Sequence, residues 1–421
     1  MRSGSGYFFM VFFLLIVDIY VFFAVRTAFA GAAPRTRFIA NLVYWLVSGT
    51  ILVLAATYRF LPETSPVLLT YVRTIIIAIL FAKLIVVLFL AIDDLRRLIL
   101  WIAGFFRSAA TENIGTEGFR KGITRSQFLS KAGLALGGGL VATLIYGFSN
   151  KYNYHVRKLK LNFKNLPSSF RGLRIVQISD IHSGSFQDKA AVEKGVDMIL
   201  AQKPDLILFT GDLVNDRAME MKEYQDVFSR LTAPMGIYSV LGNHDYGDYY
   251  PWPDFDGDHY SAMKADNLKQ LKGIHAQMGW KLMLNEHTVF ERNGEQIALL
   301  GIENWSANAR FPRFGDMTKA HAGTENIPFK ILMSHDPSHW DAQVRKEYPD
   351  VNLMLSGHTH GMQFGIEIPK FKWSPSQYFY KQWAGLYQDG QQKLYVNRGF
   401  GFLGYPGRVG ILPEITVIDL A

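Results

Sequence analysis

The chain has no cysteine among its 421 residues. This absence excludes disulfide bonds, thiolate metal sites and cysteine nucleophiles. It leaves the redox compartment open, because a chain without thiols suits either a reducing or an oxidising environment.

Residues 151–421 have no net charge, because they contain 30 basic and 30 acidic side chains. Residues 1–150 contain 14 basic and 6 acidic side chains, so the net charge of +8 belongs entirely to this part of the chain. A nucleic-acid-binding domain would concentrate basic residues on one of its faces. The sequence therefore predicts no nucleic-acid-binding surface on the second part of the chain.

The first part instead contains four long apolar runs, at residues 7–25, 38–57, 67–92 and 129–148. Each is near the roughly 20 residues that a helix needs to cross about 30 Å of hydrocarbon. The first run is too long for a cleavable signal peptide, and only one basic residue, Arg2, precedes it. We therefore predict an all-α transmembrane region of about four helices over residues 1–149, and a second domain over residues 150–421.

Basic residues are concentrated in the first and third loops between these runs, namely Arg26, Arg35 and Arg37, and then Arg96, Arg97, Arg107, Arg120, Lys121 and Arg125. Because basic loops stay in the cytoplasm, we predict that both termini and the second domain lie outside it. The apolar segment 95–106 is too short to span a bilayer, and its two arginines predict a separate interfacial helix.

Two charged residues lie at similar depths in the apolar runs, Asp18 in the first and Lys83 in the third. An unpaired charge inside a bilayer is costly, so we predict that they form an ion pair. Such a pair could belong to a proton or ion path, or it could fix the register of the helices. We favour the second interpretation, because two charges make a poor relay.

In residues 150–421, apolar strands alternate with helices, which is typical of βαβ units in an α/β domain. A polar stretch at 150–164 predicts an edge strand. The pattern then predicts helices at 189–202 and 218–231, and strands at 173–179, 205–210, 236–241, 297–302, 329–334, 351–356, 393–397 and 415–420. This order suits two packed mixed sheets flanked by helices.

Five of these strands end in residues that bind metals, namely Asp180 and His182, then Asp212, Asn243, His335, and His358 with His360. Carboxylate, imidazole and amide oxygen are ligands for hard or borderline divalent metals, and Mn, Fe and Zn all fit. Seven ligands are too many for one ion and suit two ions about 3.5–4 Å apart. Asp212 lies centrally in the strand series and is predicted to bridge them.

The motifs Asp180-Ile-His182, Gly211-Asp212, Gly242-Asn-His-Asp245, His335 and Gly357-His-Thr-His360 resemble the signature of calcineurin-like metallophosphoesterases. The resemblance implies a four-layer αββα sandwich and a hydroxide between two ions as nucleophile. It divides the ligands into two sets that share Asp212, the first with Asp180, His182 and His360, and the second with Asn243, His335 and His358. It also implies that His244 protonates the leaving group or stabilises a phosphoryl oxygen, oriented by Asp245.

The apolar runs and the closing Asn397-Arg-Gly-Phe-Gly401 resemble the bacterial membrane-linked branch of this family. That likeness implies a multi-pass protein of the bacterial inner membrane, with its catalytic domain outside the cytoplasm. Residues 124–129 resemble a twin-arginine export signal but contain only one arginine. Two aromatic stretches, residues 246–260 and 373–383, are candidates for contact with substrate.

We therefore predict a membrane-anchored, dinuclear metal-dependent hydrolase of phosphoesters, with phosphodiester or pyrophosphate bonds favoured over monoesters. One alternative is a lipid-linked pyrophosphatase, such as a hydrolase of a UDP-diacylglucosamine type of substrate, which would act in the cytoplasm. An alternative of another class is a non-catalytic metal-binding membrane scaffold, although the complete set of ligands disfavours it.

Overall fold

A computed structural model of the chain describes residues 4–58, 66–106, 124–255 and 261–421. The chain forms two compact units, Met1–Tyr146 and Gly147–Ala421. Some residues used in the sequence interpretation lie outside the described residues, namely Arg107, Arg120, Lys121 and the end of the first aromatic stretch, 256–260.

The first unit contains four apolar helices, α1 (Gly4–Ala28), α2 (Pro34–Thr57), α3 (Pro66–Phe106) and α4 (Arg125–Gly147), the last of which ends one residue into the second unit. All four are long and apolar enough to cross a membrane. This confirms the predicted number of long apolar helices among the described residues, and their crossing of a membrane stays a prediction.

The separate interfacial helix predicted at residues 95–106 is wrong, because this segment continues α3 without a break. The 41 residues of α3 extend for about 60 Å, roughly twice the thickness of the hydrocarbon layer. Asp93 pairs with Arg96 at 3.2 Å and with Arg97 at 2.9 Å. These pairs, three and four residues apart, support helical structure at the place where a boundary was expected.

The predicted ion pair between Asp18 and Lys83 is present, and both side chains are buried within the first unit. The hydroxyl of Tyr44 donates to the backbone carbonyl of Asp18 at 2.6 Å and lies 3.3 Å from its carboxylate. Three helices, α1, α2 and α3, are thus joined by one polar cluster. This arrangement fits the interpretation that the pair fixes helix register.

Replacing Asp18 by asparagine is expected to lower the yield of correctly assembled protein in the membrane. The change leaves the Lys83 ammonium without its counter-charge, and a lone charge at the centre of a helix costs about 2.5–3.5 kcal/mol on insertion scales. The measurement is the membrane-extracted, monodisperse fraction of each variant. A double variant, Asp18→Asn with Lys83→Met, should recover most of the yield, and an unchanged yield for the single variant would contradict the prediction.

In the second unit, the described residues form two six-stranded sheets and one two-stranded hairpin. The first sheet has the order β1 (His155–Leu161), β14 (Glu414–Leu420), β2 (Arg174–Ile178), β3 (Leu206–Phe209), β4 (Ile237–Ser239) and β5 (Lys281–Leu282). The second has the order β12 (Gly385–Asp389), β13 (Gln392–Val396), β9 (Leu353–Ser356), β8 (Lys330–Met333), β7 (Glu295–Gly301) and β6 (Glu286–Arg292). The hairpin is β10 (Ile366–Ile368) with β11 (Phe371–Trp373).

Buried apolar side chains alternate between the two faces of each sheet, as the period of two along a strand requires. In β3, Leu206 and Leu208 join the cluster between the sheets, whereas Ile207 and Phe209 pack outward in the cluster shared with helix α5. The outer faces are covered by helices α5 (Lys189–Leu200), α6 (Gln225–Phe228), α7 (Ala262–Gln277) and α8 (Met317–His321). The short helix α9 (Arg345–Glu347) contains no buried residue. The packed sheets and their outer helices confirm the predicted α/β sandwich.

The long helix predicted over residues 218–231 is wrong, because only two short helical turns form there, at Ala218–Met221 and Gln225–Phe228. The Glu220 carboxylate accepts backbone hydrogen bonds from Asn215 at 2.7 Å and Arg217 at 3.0 Å. Glu220 thereby ties the first turn to the loop that follows β3, and a continuous helix is replaced by a compact loop.

Candidate metal centre

The ends of strands from both sheets meet at one place in the second unit. Strands β2, β3 and β4 are parallel neighbours, as are β8 and β9, so the carboxyl ends within each group lie at the same edge. The seven predicted ligands follow these ends and are brought together, namely Asp180, His182, Asp212, Asn243, His335, His358 and His360.

The backbone at these positions adopts an unusual conformation. Five of the seven residues have positive φ angles, namely Asp180 (53°), His182 (48°), Asp212 (61°), His358 (72°) and His360 (49°). Residues other than glycine rarely adopt this left-handed region, and each instance costs about 1–3 kcal/mol. Such strain is typical of functional sites, where the rest of the fold holds side chains in positions that local preference would not give.

The glycines of the motifs make room for the carboxylates. A Cβ atom on Gly242 would lie 2.2 Å from Oδ1 of Asp212, and one on Gly357 would lie 2.2 Å from Oδ2 of Asp180. Both distances are far below a van der Waals contact, so neither carboxylate could keep its position beside a larger residue.

Replacing Gly242 by alanine is therefore expected to displace the Asp212 carboxylate and to lower metal content and stability together. Overpacking of this kind costs about 1–3 kcal/mol. The measurements are metal equivalents and the unfolding midpoint of the purified protein. Gly273→Ala is the matched control, because a Cβ at this position in α7 meets no atom within 4 Å. Equal metal content in the two variants would contradict the prediction.

The ligand atoms form two groups. In the first, Nε2 of His182 lies 3.0 Å from Nε2 of His360, which lies 3.3 Å from Oδ1 of Asp180. In the second, Nε2 of His335 lies 3.1 Å from Oδ2 of Asp212 and 3.3 Å from Nδ1 of His358. Within each group the ligand atoms all lie within 4.8 Å of one another, which suits one cation in each.

Asp212 and Asn243 complete the arrangement. Oδ2 of Asp212 is 3.1 Å from His335 in the second group and 3.6 Å from Nε2 of His182 in the first, so it lies between the two groups. Oδ1 of Asn243 lies 2.7 Å from Nδ1 of His358 and belongs with the second group. The same residues thus fall into the two sets that the resemblance implies, and their role as ligands stays a prediction.

The chemistry of the donor set fits divalent cations. Burial lowers the pKa of His182 to about 3 and that of His358 to about 4, so both rings are neutral and offer lone pairs. Burial raises the pKa of Asp180 to about 7, because its charge lies in the interior beside Asp212. Bound cations would supply the positive charge that such buried carboxylates need.

Hydrogen bonds to residues outside the ligand set hold the rings of His335 and His358 in place. The Nδ1 group of His335 donates to the carbonyl oxygen of Thr210 at 2.7 Å, which leaves Nε2 as the atom that faces the site. Nε2 of His358 lies 2.6 Å from the hydroxyl of Tyr380, which leaves Nδ1 to face the site. Partners of this kind fix the tautomer and direction of metal-binding imidazoles.

His244 lies beside both groups, and its surroundings correct one expectation. Its Nδ1 group donates to the backbone carbonyl oxygen of Asn215 at 2.7 Å, and its ring centre lies 4.9 Å from that of His182. Asn215, rather than Asp245, therefore orients the ring. The buried carboxylate of Asp245 instead accepts backbone hydrogen bonds at 2.8–3.3 Å, from the N–H groups of Gly242, Asp212, Leu213 and Val214. Asp245 thus joins the loops after β3 and β4.

Both predicted aromatic stretches reach the site, although the sequence pattern did not single out their contacts with the ligands. Tyr380 contacts His358, as described above, and the hydroxyl of Tyr249 accepts from Nδ2 of Asn243 at 2.9 Å. The Asn243 amide is thereby turned so that its oxygen faces the site. These hydroxyls belong to residues that the sequence marked only as aromatic, and no local signal distinguished them from their neighbours.

Fold and site together define an α/β sandwich with a candidate centre for two metal ions. The chain belongs to the calcineurin-like phosphoesterases. A family model for calcineurin-like phosphoesterases matches residues 173–362, and a model described as a probable calcineurin-like phosphoesterase transmembrane domain matches residues 2–151. This membership confirms the resemblance and supports the predicted assignment to the hydrolases.

The chain is 30% identical to metallophosphoesterase YkuE of Bacillus subtilis, an alignment covering 71% of this chain and 98% of that one. It is 27% identical to phosphodiesterase YaeI of Escherichia coli, covering 61% and 84%. It is 29% identical to UDP-2,3-diacylglucosamine pyrophosphatase LpxG of Chlamydia trachomatis, covering 58% and 84%. Its match to a zebrafish transmembrane protein with a metallophosphoesterase domain, 30% identical over 66% of this chain, spans only 60% of that longer protein.

Proposed function

We propose that the protein is a membrane-anchored hydrolase of phosphoesters that uses two divalent cations. The observation that carries the proposal is the pair of buried ligand groups, with the Asp212 carboxylate between them. Asp180, His182 and His360 would hold one cation, and Asn243, His335 and His358 the other. Asp212 would contribute to both, and Mn, Fe or Zn would fit these nitrogen and oxygen ligands.

When bound, two such cations supply Lewis acidity that activates water and neutralises charge on the phosphoryl oxygens. The side chains of the site do the rest. His244, held through Nδ1 by the Asn215 carbonyl, presents Nε2 as the atom that can give a proton to the leaving alkoxide. Histidine is the side chain that most often transfers a proton to or from a reacting group in enzymes.

Phosphodiester or pyrophosphate bonds are the substrates we favour. The relatives YaeI and LpxG are named for these two bond types, a phosphodiesterase and a pyrophosphatase. The aromatic side chains beside the ligands also suit an extended substrate. The ring of Tyr249 lies 4.5 Å from that of His244, and the ring of Phe311 lies 4.8 Å from that of His358.

The decisive assay uses the full chain, purified without metal and reconstituted with Mn, Fe or Zn. We expect metal-dependent cleavage of a soluble phosphodiester or pyrophosphate to exceed cleavage of a matched monoester. Saturation near two metal equivalents per chain is expected in the same titration. Metal binding without cleavage of any phosphoester would instead favour the non-catalytic scaffold.

The likeness to LpxG supports a second candidate, a pyrophosphatase of a lipid-linked nucleotide. The two candidates differ in topology. The basic loops predict that the second domain lies outside the cytoplasm of a bacterial cell, whereas the lipid-linked pyrophosphatase would act inside it. A reporter fused after Ala421 distinguishes them. Activity of a periplasm-dependent reporter supports the first candidate, and activity of a cytoplasm-dependent reporter supports the second.

A further inference from the structure

The hairpin of β10 and β11 turns its apolar side chains to solvent. Ile366 is 48% exposed, Ile368 is 58% exposed and Phe371 is 51% exposed. Ile366 is paired with Trp373 across the hairpin and Ile368 with Phe371, so all four side chains stand on one face. An antiparallel pair in a soluble domain normally has the opposite arrangement, with its apolar face on the core and its polar face in water.

The polar face of the same hairpin is bound to the second unit. Glu367 accepts hydrogen bonds from Arg157 at 2.7 Å and from Arg398 at 2.6 Å. Lys372 donates to the carbonyl oxygen of Ala384 and lies 4.6 Å from the ring centre of Trp383. These contacts hold the apolar face outward, so its exposure is built into the fold.

Aromatic and basic side chains extend this face. Tyr378 and Phe379 are each 72% exposed and follow β11 closely in sequence. Lys370 lies at the tip of the hairpin with a φ of 71°, and the Lys381 side chain, 3.9 Å from Asp341, is 79% exposed. Tyrosine and tryptophan concentrate at the boundary between lipid and water, and lysines near it are attracted to anionic lipids. We call residues 366–373 with Tyr378 and Phe379 the apolar hairpin surface.

Backbone contacts within the second unit place this surface close to the residue that ends α4. Gly147, the last residue of that apolar helix, accepts a hydrogen bond from the backbone N–H of Arg408 at 2.9 Å. The next residue, Val409, accepts one from Gly365 at 2.9 Å, and Gly365 directly precedes β10. Two backbone hydrogen bonds between neighbouring residues thus connect the start of the hairpin to Gly147, the residue at which α4 ends.

We propose that the apolar hairpin surface docks onto the lipid bilayer. The inverted polarity, the aromatic side chains, the two lysines and the nearby end of an apolar helix all favour lipid over a second copy of the chain or another protein. A face of this kind binds a bilayer through buried apolar area and attraction to anionic headgroups.

Docking of this surface onto a bilayer would also indicate the class of substrate. This part of the inference rests on the proposed function. The segment after the hairpin is tied to the metal ligands, because the Ser374 hydroxyl donates to the carbonyl oxygen of Gly361 at 2.7 Å and Tyr380 contacts His358 at 2.6 Å. A phosphoester that carries an acyl chain could therefore reach the ligands while its chain stays in the membrane. The substrate class is an amphiphilic phosphodiester or pyrophosphate.

The position of the hairpin can be measured without any activity, because the chain has no native cysteine to interfere with labelling. Single variants Ile368→Cys and Phe371→Cys of the full chain would carry a fluorophore in vesicles of phosphatidylcholine and phosphatidylglycerol. Val289→Cys is the matched control, an exposed position on β6 at the far edge of the second sheet. Brominated acyl chains should quench the hairpin labels several-fold more than the control.

Equal quenching at the hairpin and control positions would overturn the proposal. So would hairpin labels that are shielded from aqueous iodide but not quenched by brominated lipid, because a second copy or a partner protein would then cover the surface. These outcomes do not depend on turnover, so they separate a failure of docking from a failure of the proposed function.

The substrate class is tested with a double variant, Ile368→Glu with Phe371→Glu, against Val289→Glu. We expect the double variant to cleave a diacyl phosphodiester in vesicles roughly tenfold more slowly, because two large apolar side chains no longer enter lipid. Cleavage of a soluble phosphodiester should stay unchanged. Equal losses on both substrates, or no loss on either, would contradict the assignment of an amphiphilic substrate.

Discussion

Replacing Asp212 by asparagine should remove metal binding and hydrolysis together. Turnover should fall by more than about a hundredfold, because losses of up to about that size follow from changing residues that only hydrogen-bond to metal ligands. Oδ2 of Asp212 lies within 3.1 Å of His335 and 3.6 Å of His182, so the two ligand groups share it. Its Oδ1 also accepts the backbone N–H of His244 at 2.9 Å. An amide at this position carries no charge, and its NH₂ group would face the cations or the backbone donor.

The measurements for this variant are metal equivalents by elemental analysis, turnover, and the shift in unfolding temperature when metal is added. The unchanged chain should gain stability with metal, because a ligand that binds only the folded state stabilises it. The variant should show little or no gain. Asp226→Asn is the matched control, an exposed carboxylate paired with Lys189 at 2.7 Å. Two metal equivalents and normal turnover in Asp212→Asn would exclude its proposed bridging position.

The site could be predicted from the sequence because each ligand directly follows a short apolar strand. Parallel strands of one sheet place their carboxyl ends at the same edge, so Asp180 and Asp212, which follow β2 and β3, become neighbours. Asp180 and His358 follow strands of different sheets, and they meet because the two sheets pack face to face. The structure brings them within hydrogen-bonding distance, since the backbone N–H of His358 donates to Asp180 at 2.9 Å. The division of the ligands into two groups came from the family resemblance. The same residues form two clusters in the structure, and their binding of cations stays a prediction.

Other features could not be predicted from the sequence, because they depend on contacts between loops. The resemblance implied that Asp245, which directly follows His244, orients the imidazole. The Asp245 carboxylate instead accepts hydrogen bonds from backbone N–H groups of other loop residues. The turn at Glu220 replaced a helix that apolar spacing favoured. The outward apolar face of β10 and β11 was also hidden, because a period of two reveals two faces but not which one meets the core.

The role of His244 can be separated from that of the metal ligands. The imidazole of His244 is held by the backbone carbonyl of Asn215. Among the hydrogen bonds of the described site, His244 contacts Asp212 through its backbone N–H and not through its ring. Removing the imidazole should therefore leave both ligand groups intact. Asn215 holds the ring through its backbone, so a change of the Asn215 side chain should affect His244 far less than a change of His244 itself.

His244→Ala is expected to keep two metal equivalents while turnover falls by about 10²–10⁴-fold, the usual contribution of a positioned general acid. The loss should depend on the leaving group. An aryl phosphodiester expels a weakly basic phenolate that needs little protonation, so it should lose much less rate than an alkyl phosphodiester, whose alkoxide needs a proton. An equal loss on both substrates would assign His244 to stabilising a phosphoryl oxygen, and normal turnover on both would remove it from the mechanism.

His244→Gln tests the same point, because the glutamine amide can donate a hydrogen bond but cannot transfer a proton. Turnover should recover in this variant if His244 stabilises a phosphoryl oxygen, and it should stay low if His244 protonates the leaving group.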